Sequence, residues 1–337
     1  MTATQAESVL EPSSRPTGAG ARPDARAAAE RFFALRFGQH GAGTGPRAVP
    51  VPLRHAGGDA TWRVWDGAEP SWADAAAGIG SLISPDHIVL HRSVALAGGT
   101  DISAAALEVY RELLAQVREL GYPHLVRIWN FVPDINGGAG DAETYVRFND
   151  GRKAAFDLLG LAPSHYPAAT GVGGPAGSPL TVVIAASRTE PTAIENPRQT
   201  SAYLYPRRYG PRSPAFARAT LLPDRDGATL FISGTASIVG HESQHHGIRP
   251  QLAETLANLE QLLSCATDRA PGLRPGSRRQ WQVYLRRPAD LAAVEHEVRA
   301  RLGDSVAFLQ ADICRRELLV EIEGICELSR GAGAPGA

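Results

Sequence analysis

Two glutamates near the C-terminal end stand where chemistry is available, in the segment ELLVEIEGICE at 317–327. Acids alternate there with apolar and β-branched residues, which predicts a strand. Strand side chains alternate faces, so Glu321 and Glu323 share one face and Val320 and Ile322 the other. Two carboxylates on one pleat face repel each other. That is tolerable on a wet outer surface, or where one of the two is protonated. A carboxyl group with a raised pKa is a ready general acid at neutral pH. Taken alone, two glutamates on a strand read first as ordinary surface acids on a solvated outer face. The strand's place after two helix-and-strand units that resemble each other favours the chemical reading.

Two further clusters are rich in arginine and tyrosine. Tyr145, Arg147 and Arg152 lie in ETYVRFNDGRKAAF, and Tyr203, Tyr205, Arg212 and Arg218 in SAYLYPRRYGPRSPAFARA. The planar fork of arginine bonds carboxylates bidentately. These clusters are either surface arginines stacked on tyrosines or a pocket for a ligand with two carboxylates. Cys326 is either a nucleophile or a small core residue. His241 to His245 matches H-E-x-x-H, which needs both histidines on one helix face and a third ligand. Gly240, Gly247 and Pro250 leave room for at most one helical turn, so a polar loop is expected and no metal. GVGGPAGSP lacks the Lys-Ser or Lys-Thr of a phosphate loop and predicts a flexible loop or lid.

The elements that must position these residues follow from periodicity. Residues 25–37 predict a short helix and 38–58 a loop. Strands are expected at 62–66 and 87–95. A strong helix, capped by Asp101 or Ser103, runs to about Leu120 with Leu107, Tyr110, Leu114 and Val117 on one face. A strand over YPHLVRIWNFVPDI and a helix over 142–159 follow. A Gly/Pro-rich loop is expected at 163–179, then strands at 180–185 and 201–205. The second half predicts a hairpin at 216–233 turning at DRDG, and a helix opened by Pro250 with Leu252, Leu256, Leu259 and Leu263 inward. Strands at 280–285 and 306–309 flank a helix over 288–302. Helix then VRIWNFVPDI is echoed by helix then WQVYLRRPADL. The prediction is α+β: a duplicated unit, each a mixed sheet with helices packed on one face. The domain division is a disordered segment at 1–28, an N-terminal domain with extension at 29–212, a C-terminal domain at 213–330 and a flexible tail at 331–337.

Composition excludes several classes. Against 34 Lys plus Arg stand 35 Asp plus Glu, a net charge of −1, so no global field attracts nucleic acid. Lys153 is the only lysine. The 3 cysteines, Cys265, Cys314 and Cys326, suggest neither a disulfide framework nor a zinc cluster and fit a reducing cytoplasm. The first residues lack a basic stretch followed by an apolar one, so no signal peptide is expected, and no apolar run approaches the ~18 residues of a membrane span.

From about 216 to 326 the chain resembles the RidA/YjgF family, through LFISGTASIV and the final strand LLVEIEGIC. That resemblance puts the family's pocket-facing acid on Glu321. It offers no match for the family's carboxylate-binding arginine, since residues 307–309 occupy that region. A longer resemblance, from about 87 to 326, is to the chorismatases. It is carried by YPHLVRIWNFVPDIN, GDAETYVRFNDGRKAAF, ENPRQTSAYLYPRRYGPRSPAFARA and ISGTASIVGHESQHHG. Chorismatases resemble two fused RidA-like units and release pyruvate from chorismate without metal or organic cofactor. The resemblance implies Glu321 or Glu323 as the acid that protonates the enol ether. Arg152, Arg212 and Arg218 would hold the carboxylates, with Tyr145, Tyr203 and Tyr205 as hydroxyl donors. It implies no cofactor, a small-molecule partner only, and a monomer through internal duplication. Gly240 and Cys326 resemble the pocket wall of the branch that forms 3-hydroxybenzoate. The hydrolytic branch, giving 3,4-dihydroxycyclohexa-1,5-diene carboxylate, is the alternative. Cys326 falls on the pleat face opposite Glu321, so both reach one pocket only if a bulge near Gly324 shifts the register. A RidA-like imine deaminase or metabolite-binding protein is the alternative of another class.

Overall fold

The computed structural model describes residues 32–37, 48–59, 61–66, 71–75, 78–96, 99–225 and 227–330. The segments 1–28 and 331–337, expected to be disordered or flexible, lie outside the described residues, as does the first half of the helix expected over 25–37. The N-terminal strands are β1 (Phe32–Phe37), β2 (Ala48–Val51), β3 (Arg54–Gly58), β4 (Thr61–Asp66) and β5 (Ser71–Ala75). Then come β6 (Ile79–Ile83), β7 (His87–Val94), α1 (Ile102–Glu119), β8 (His124–Pro133), α2 (Thr144–Leu158), β9 (Ala168–Gly174), β10 (Leu180–Ser187) and β11 (Thr192–Ile194). The second half has β12 (Ala219–Pro223), β13 (Gly227–Ala236), β14 (Ile238–Val239), β15 (Glu242–Ser243) and α3 (Ile248–Arg269). It ends with β16 (Leu273–Leu285), α4 (Leu291–Leu302), β17 (Val306–Gln310), β18 (Asp312–Ile313) and β19 (Val320–Arg330).

Helix α1 forms where the pattern places it. The Asp101 side chain accepts from the Ser103 N–H as N-cap, and Gly121, at φ +80°, turns the chain out. Its buried stripe, Val109, Tyr110, Leu113, Leu114 and Val117, docks on the first sheet. Each such side chain contributes about 1.5–3 kcal/mol when fully buried. In α3 the stripe is Leu252, Leu256, Leu259 and Leu262, docked on the second sheet.

The duplication is explicit in the topology. The first sheet contains the run β9-β8-β10-β7-β6 and the second the run β17-β16-β19-β13-β12. In each, a strand, a helix and a second strand parallel to the first form one crossover: β8-α2-β9 and β16-α4-β17. Helices α1 and α2 cover the outer face of the first sheet, and α3 and α4 that of the second. The inner faces meet in one shared core, with Trp129, Phe131 and Val183 from the first sheet against Phe231, Tyr284, Leu309 and Ile325 from the second. The order of layers is helix, sheet, sheet, helix, an α+β architecture of two fused units. The edges are exchanged across position 212. Strands β3 and β11 complete the second sheet, and β18 pairs with β9 in the first.

Four local expectations are corrected. Residues 32–37 form a strand rather than helix, because β1 pairs with both β2 and β4 and Leu35 is buried. The loop expected at 38–58 contains β2 and β3. The loop expected at 163–179 contains β9, whose glycines allow close approach: a Cβ on Gly173 would sit 2.6 Å from Ile135 Cγ2. Residues 202–204 form a 3₁₀ turn rather than a strand. Among the described residues, no helix is long and apolar enough to cross a membrane.

Candidate active site

Strand β19 points Glu321, Glu323 and Ile325 into the space between the sheets, as the alternation requires. Glu323 is wholly buried. It accepts from Arg127 Nη2 at 2.6 Å, Trp129 Nε1 at 3.0 Å and Gln282 Nε2 at 2.8 Å, and bonds the Thr170 hydroxyl. Thr170 Oγ1 itself accepts from Arg127 Nη2 and from the Gly234 N–H. Both its lone pairs are taken, so its hydrogen points at Glu323. Burial raises the Glu323 carboxyl above its ordinary value, against the downward pull of Arg127, Thr170, Tyr284 and Trp129. Every partner is a donor, so the ionised form is the one they fit.

Glu321 stands in the opposite condition. It is 4% exposed, and no described residue hydrogen-bonds its carboxyl. Burial pushes its pKa up to about 8, and the neighbouring Glu323 adds to the rise; Arg127, Arg218 and Arg286 pull the other way. At neutral pH Glu321 therefore carries a proton. Its seat depends on Gly234, where a Cβ would lie 2.0 Å from Glu321 Oε1. Gly234 belongs to a bulge: Ser233 and Gly234 of β13 oppose the single residue Glu323. The bulge is bonded across the sheets, through Ala169 N–H to Ser233 Oγ and Gly234 N–H to Thr170 Oγ1.

Two buried arginines lie in this region, Arg218 facing Glu321 and Arg152 facing Tyr145; neither makes an ion pair among the described residues, although Glu195 accepts from the Arg218 backbone N–H. Arg152, on α2, donates from Nη2 to Asn149 Oδ1 at 2.7 Å. Arg218 donates from Nη2 to the Thr200 carbonyl and the Tyr205 hydroxyl, each at 2.8 Å. Nε of both, and Asn149 Nδ2, are buried without a partner. A buried guanidinium with neutral partners and free N–H groups suits an anionic ligand. The Tyr145 ring lies against Gly171 and is stacked at 6.4 Å on Phe148. Burial raises the Tyr145 hydroxyl pKa, Cys314 and Glu321 add to the rise and Arg152 opposes it, so all of these lie close together. Tyr205 sits beneath Arg218, and Arg315 covers Tyr209 at 4.1 Å and Tyr205 at 5.3 Å.

The structure thus brings together Glu321, Glu323, Tyr145, Arg152, Arg218 and Tyr205 of the expected residues, and leaves four apart. Cys326 is buried on the helix-covered face of β19, among Leu256, Leu259 and Trp281. The bulge expected near Gly324 is absent from β19, where residues 320–326 pair without interruption against β16; the shift lies in β13 instead. Arg212 is on the surface, paired with Asp157 at 3.1 Å. Tyr203 packs on Tyr166, lining an outer groove with His165 and Glu195. Gly240 touches no reacting group. Its backbone pairs with Arg198 and Thr200, and Thr200 in turn holds Arg218. The His241–His245 segment forms the β14-β15 hairpin, with His241 Nδ1 against Arg208 and His245 Nε2 near Glu254.

Three contributors were missed. Arg127 was visible as a lone charge inside the apolar strand LVRIWNF. Thr170 was hidden in the presumed loop. Cys314, beside Tyr145 and Glu321, has its thiol pushed up to about 12 by burial and by Glu321. It had no signal beyond its residue type.

Comparison with known proteins agrees with this geometry. Residues 63–186 match the family described as chorismatase FkbO/Hyg5-like, N-terminal. A 3-hydroxybenzoate synthase of Streptomyces hygroscopicus is 41% identical over 238 residues, 67% of this chain and 69% of that protein. A chorismatase of Streptomyces rapamycinicus is 37% identical over 271 residues, 77% of this chain and 80% of that one. A chorismatase crystal structure superposes with a TM-score of 0.75 at 32% identity, covering 91% of this chain and 96% of that one.

Proposed function

We propose that this chain, which belongs to the chorismatase family, releases pyruvate from chorismate and leaves 3-hydroxybenzoate. The observation that carries the reading is Glu321, a buried carboxyl that no described residue hydrogen-bonds and that holds its proton to about pH 8. Chorismate presents two carboxylates and an enol ether. The carboxylates suit Arg152 and Arg218, whose buried N–H groups lack partners. Glu321 donates its proton to the methylene carbon, which becomes a methyl group and leaves an oxocarbenium-like centre at the ether carbon. The resulting carboxylate, with Glu323 nearby, stabilises that charge in a dry site.

The next nucleophile decides the product. In the intramolecular route the ring hydroxyl oxygen bonds the neighbouring ring carbon as that carbon's bond to the ether oxygen breaks and pyruvate departs. The oxygen's bond to its original carbon then opens, and the C–H proton of the carbon that now bears it passes to Glu321 as the ring becomes aromatic. The two products together contain every atom of chorismate, so no water is consumed. The packed wall of Tyr145, Phe148 and Tyr205 around the acid favours exclusion of water. Both units of one chain build the site, which supports a monomeric enzyme. Its 3 unpaired cysteines suit a reducing cytoplasm.

The test is incubation with chorismate in ¹⁸O water, with separation of the products. Pyruvate with 3-hydroxybenzoate whose phenol oxygen is unlabelled is the expected result. Pyruvate with the dihydroxydiene acid would overturn the product, and absence of pyruvate would overturn the reaction.

A further inference from the structure

Glu323 is placed too well for a spare acid. Its four partners come from three other strands: Arg127 and Trp129 on β8, Thr170 on β9 and Gln282 on β16. Arginine, indole and amide N–H groups donate only, and the Thr170 hydroxyl has no lone pair left to accept with. A proton on Glu323 would cost one of these donor bonds, and only the Tyr284 hydroxyl, whose own hydrogen goes to Gln282 Oε1, stands ready to accept it. Glu321 is two residues along the same pleat face, about 7 Å by strand geometry, with no donor of its own.

We propose that Glu323 is a permanent anion that keeps Glu321 protonated between turnovers and recharges it after each proton transfer. This rests on the reading of Glu321 as the proton donor. Glu323 touches no reacting atom and acts through Glu321, as a positioning residue for a charge. Once Glu321 has given up its proton, two like charges face each other between the sheets. That raises the basicity of Glu321 when the ring must lose its C–H proton. One fixed charge thereby serves both halves of a cycle in which the same carboxyl is acid and then base.

The other groups facing Glu321 are Arg127 on β8, Arg218 ahead of β12, Arg286 after β16, Tyr284 on β16, Tyr145 on α2 and Cys314 after β18. Among the charged ones Glu323 acts most strongly on Glu321, ahead of the opposing Arg127. The two therefore give opposite expectations. Glu323→Gln should move the titration of Glu321 down by about one to two pH units, and Arg127→Met should move it up by a similar amount.

The experiment follows the protonated-carboxyl infrared band of Glu321 against pH, alongside kcat/KM, in wild type, Glu323→Gln and Arg127→Met. The band is assigned by its loss in Glu321→Gln. Opposite shifts of band and alkaline rate limb together are the expected result; a merely structural role would lower rates without moving either midpoint. Unmoved midpoints, or shifts of the same sign, would overturn the proposal. Should neither variant fold, Glu321→Gln decides alone: Glu323 should show no protonated-carboxyl band across the pH range in which the wild type turns over, and a titrating band there would overturn it. If the band moves as expected while the rate does not follow it, the donor role of Glu321 is what fails.

Discussion

Strand β10 closes the first unit and β19 the second, at the same place in the same strand order. On the face that meets the other sheet, β10 carries Val183 and Ala185, whereas β19 carries Glu321, Glu323 and Ile325. The neighbouring strands differ in step. Strand β10 pairs with β7 through eight consecutive residues from 180 to 187 without a shift, whereas β13 opposite β19 is bulged at Ser233 and Gly234. The first unit supplies what the second unit's acids need: Arg127 and Trp129 on β8 and Thr170 on β9. A duplicated fold thus yields one site rather than two. One copy gives up apolar packing for carboxyl groups, and the other provides the donors that make this tolerable.

The largest expected effect separates the two strands chemically. Glu321→Gln keeps the shape and removes the proton, so turnover should fall roughly 10²–10⁴-fold with little change in binding. The same variant should be the more stable protein in alkali. The folded pKa of about 8 lies above the ordinary 4.5. The fold therefore holds a proton that the unfolded chain releases, and wild-type stability falls as pH rises from 4.5 to about 8. Urea titrations at several pH values should show Glu321→Gln gaining on wild type across that window, by on the order of 3–5 kcal/mol at its top. A constant difference would mean that Glu321 is not the titrating group.

A reciprocal change tests whether donors are what license a carboxyl here. Val183→Glu puts an acid on the inner face of β10. With no donors built for it, it should cost about 3–5 kcal/mol in chemical denaturation at neutral pH, and less in acid. A cost below about 1 kcal/mol would mean that the space between the sheets accepts charge anywhere.

The arginines of the site should show a smaller and different effect. Arg152→Ala and Arg218→Ala each remove charge-assisted hydrogen bonds to the substrate, about 2–3 kcal/mol, read as a KM raised roughly 30- to 150-fold. A wild-type KM in both would remove them from the site.

The smallest effect belongs to the other face of β19. Cys326→Ala should lower stability by about 1 kcal/mol through lost packing under α3, with the product distribution unchanged. A shift in products, measured by chromatography, would mean that the two faces of β19 communicate.

Sequence alone determined what is local. Alternation along 317–327 set Glu321 and Glu323 on one face and Cys326 on the other, because pleat direction depends only on the strand's own backbone. Helical spacing located α1 and α3, and capping by Asp101 the start of α1, for the same reason. The repeated order of helix and strand exposed the duplication. Alternation failed where strands shift against one another. Strand β8 carries an extra residue at Val126, which turns to the shared core instead of joining Ile128 on the helix side. The bulge that seats Glu321 lies in β13, far along the chain from the strand that needs it. Only the tertiary structure distinguishes the two glutamates, one ringed by donors and one without. That difference depends on desolvation and on donors at 127, 129, 170 and 282, brought from three strands onto one carboxyl. Nothing in the spacing of 321 and 323 encodes those partners, since a pKa is set by what surrounds a group in space.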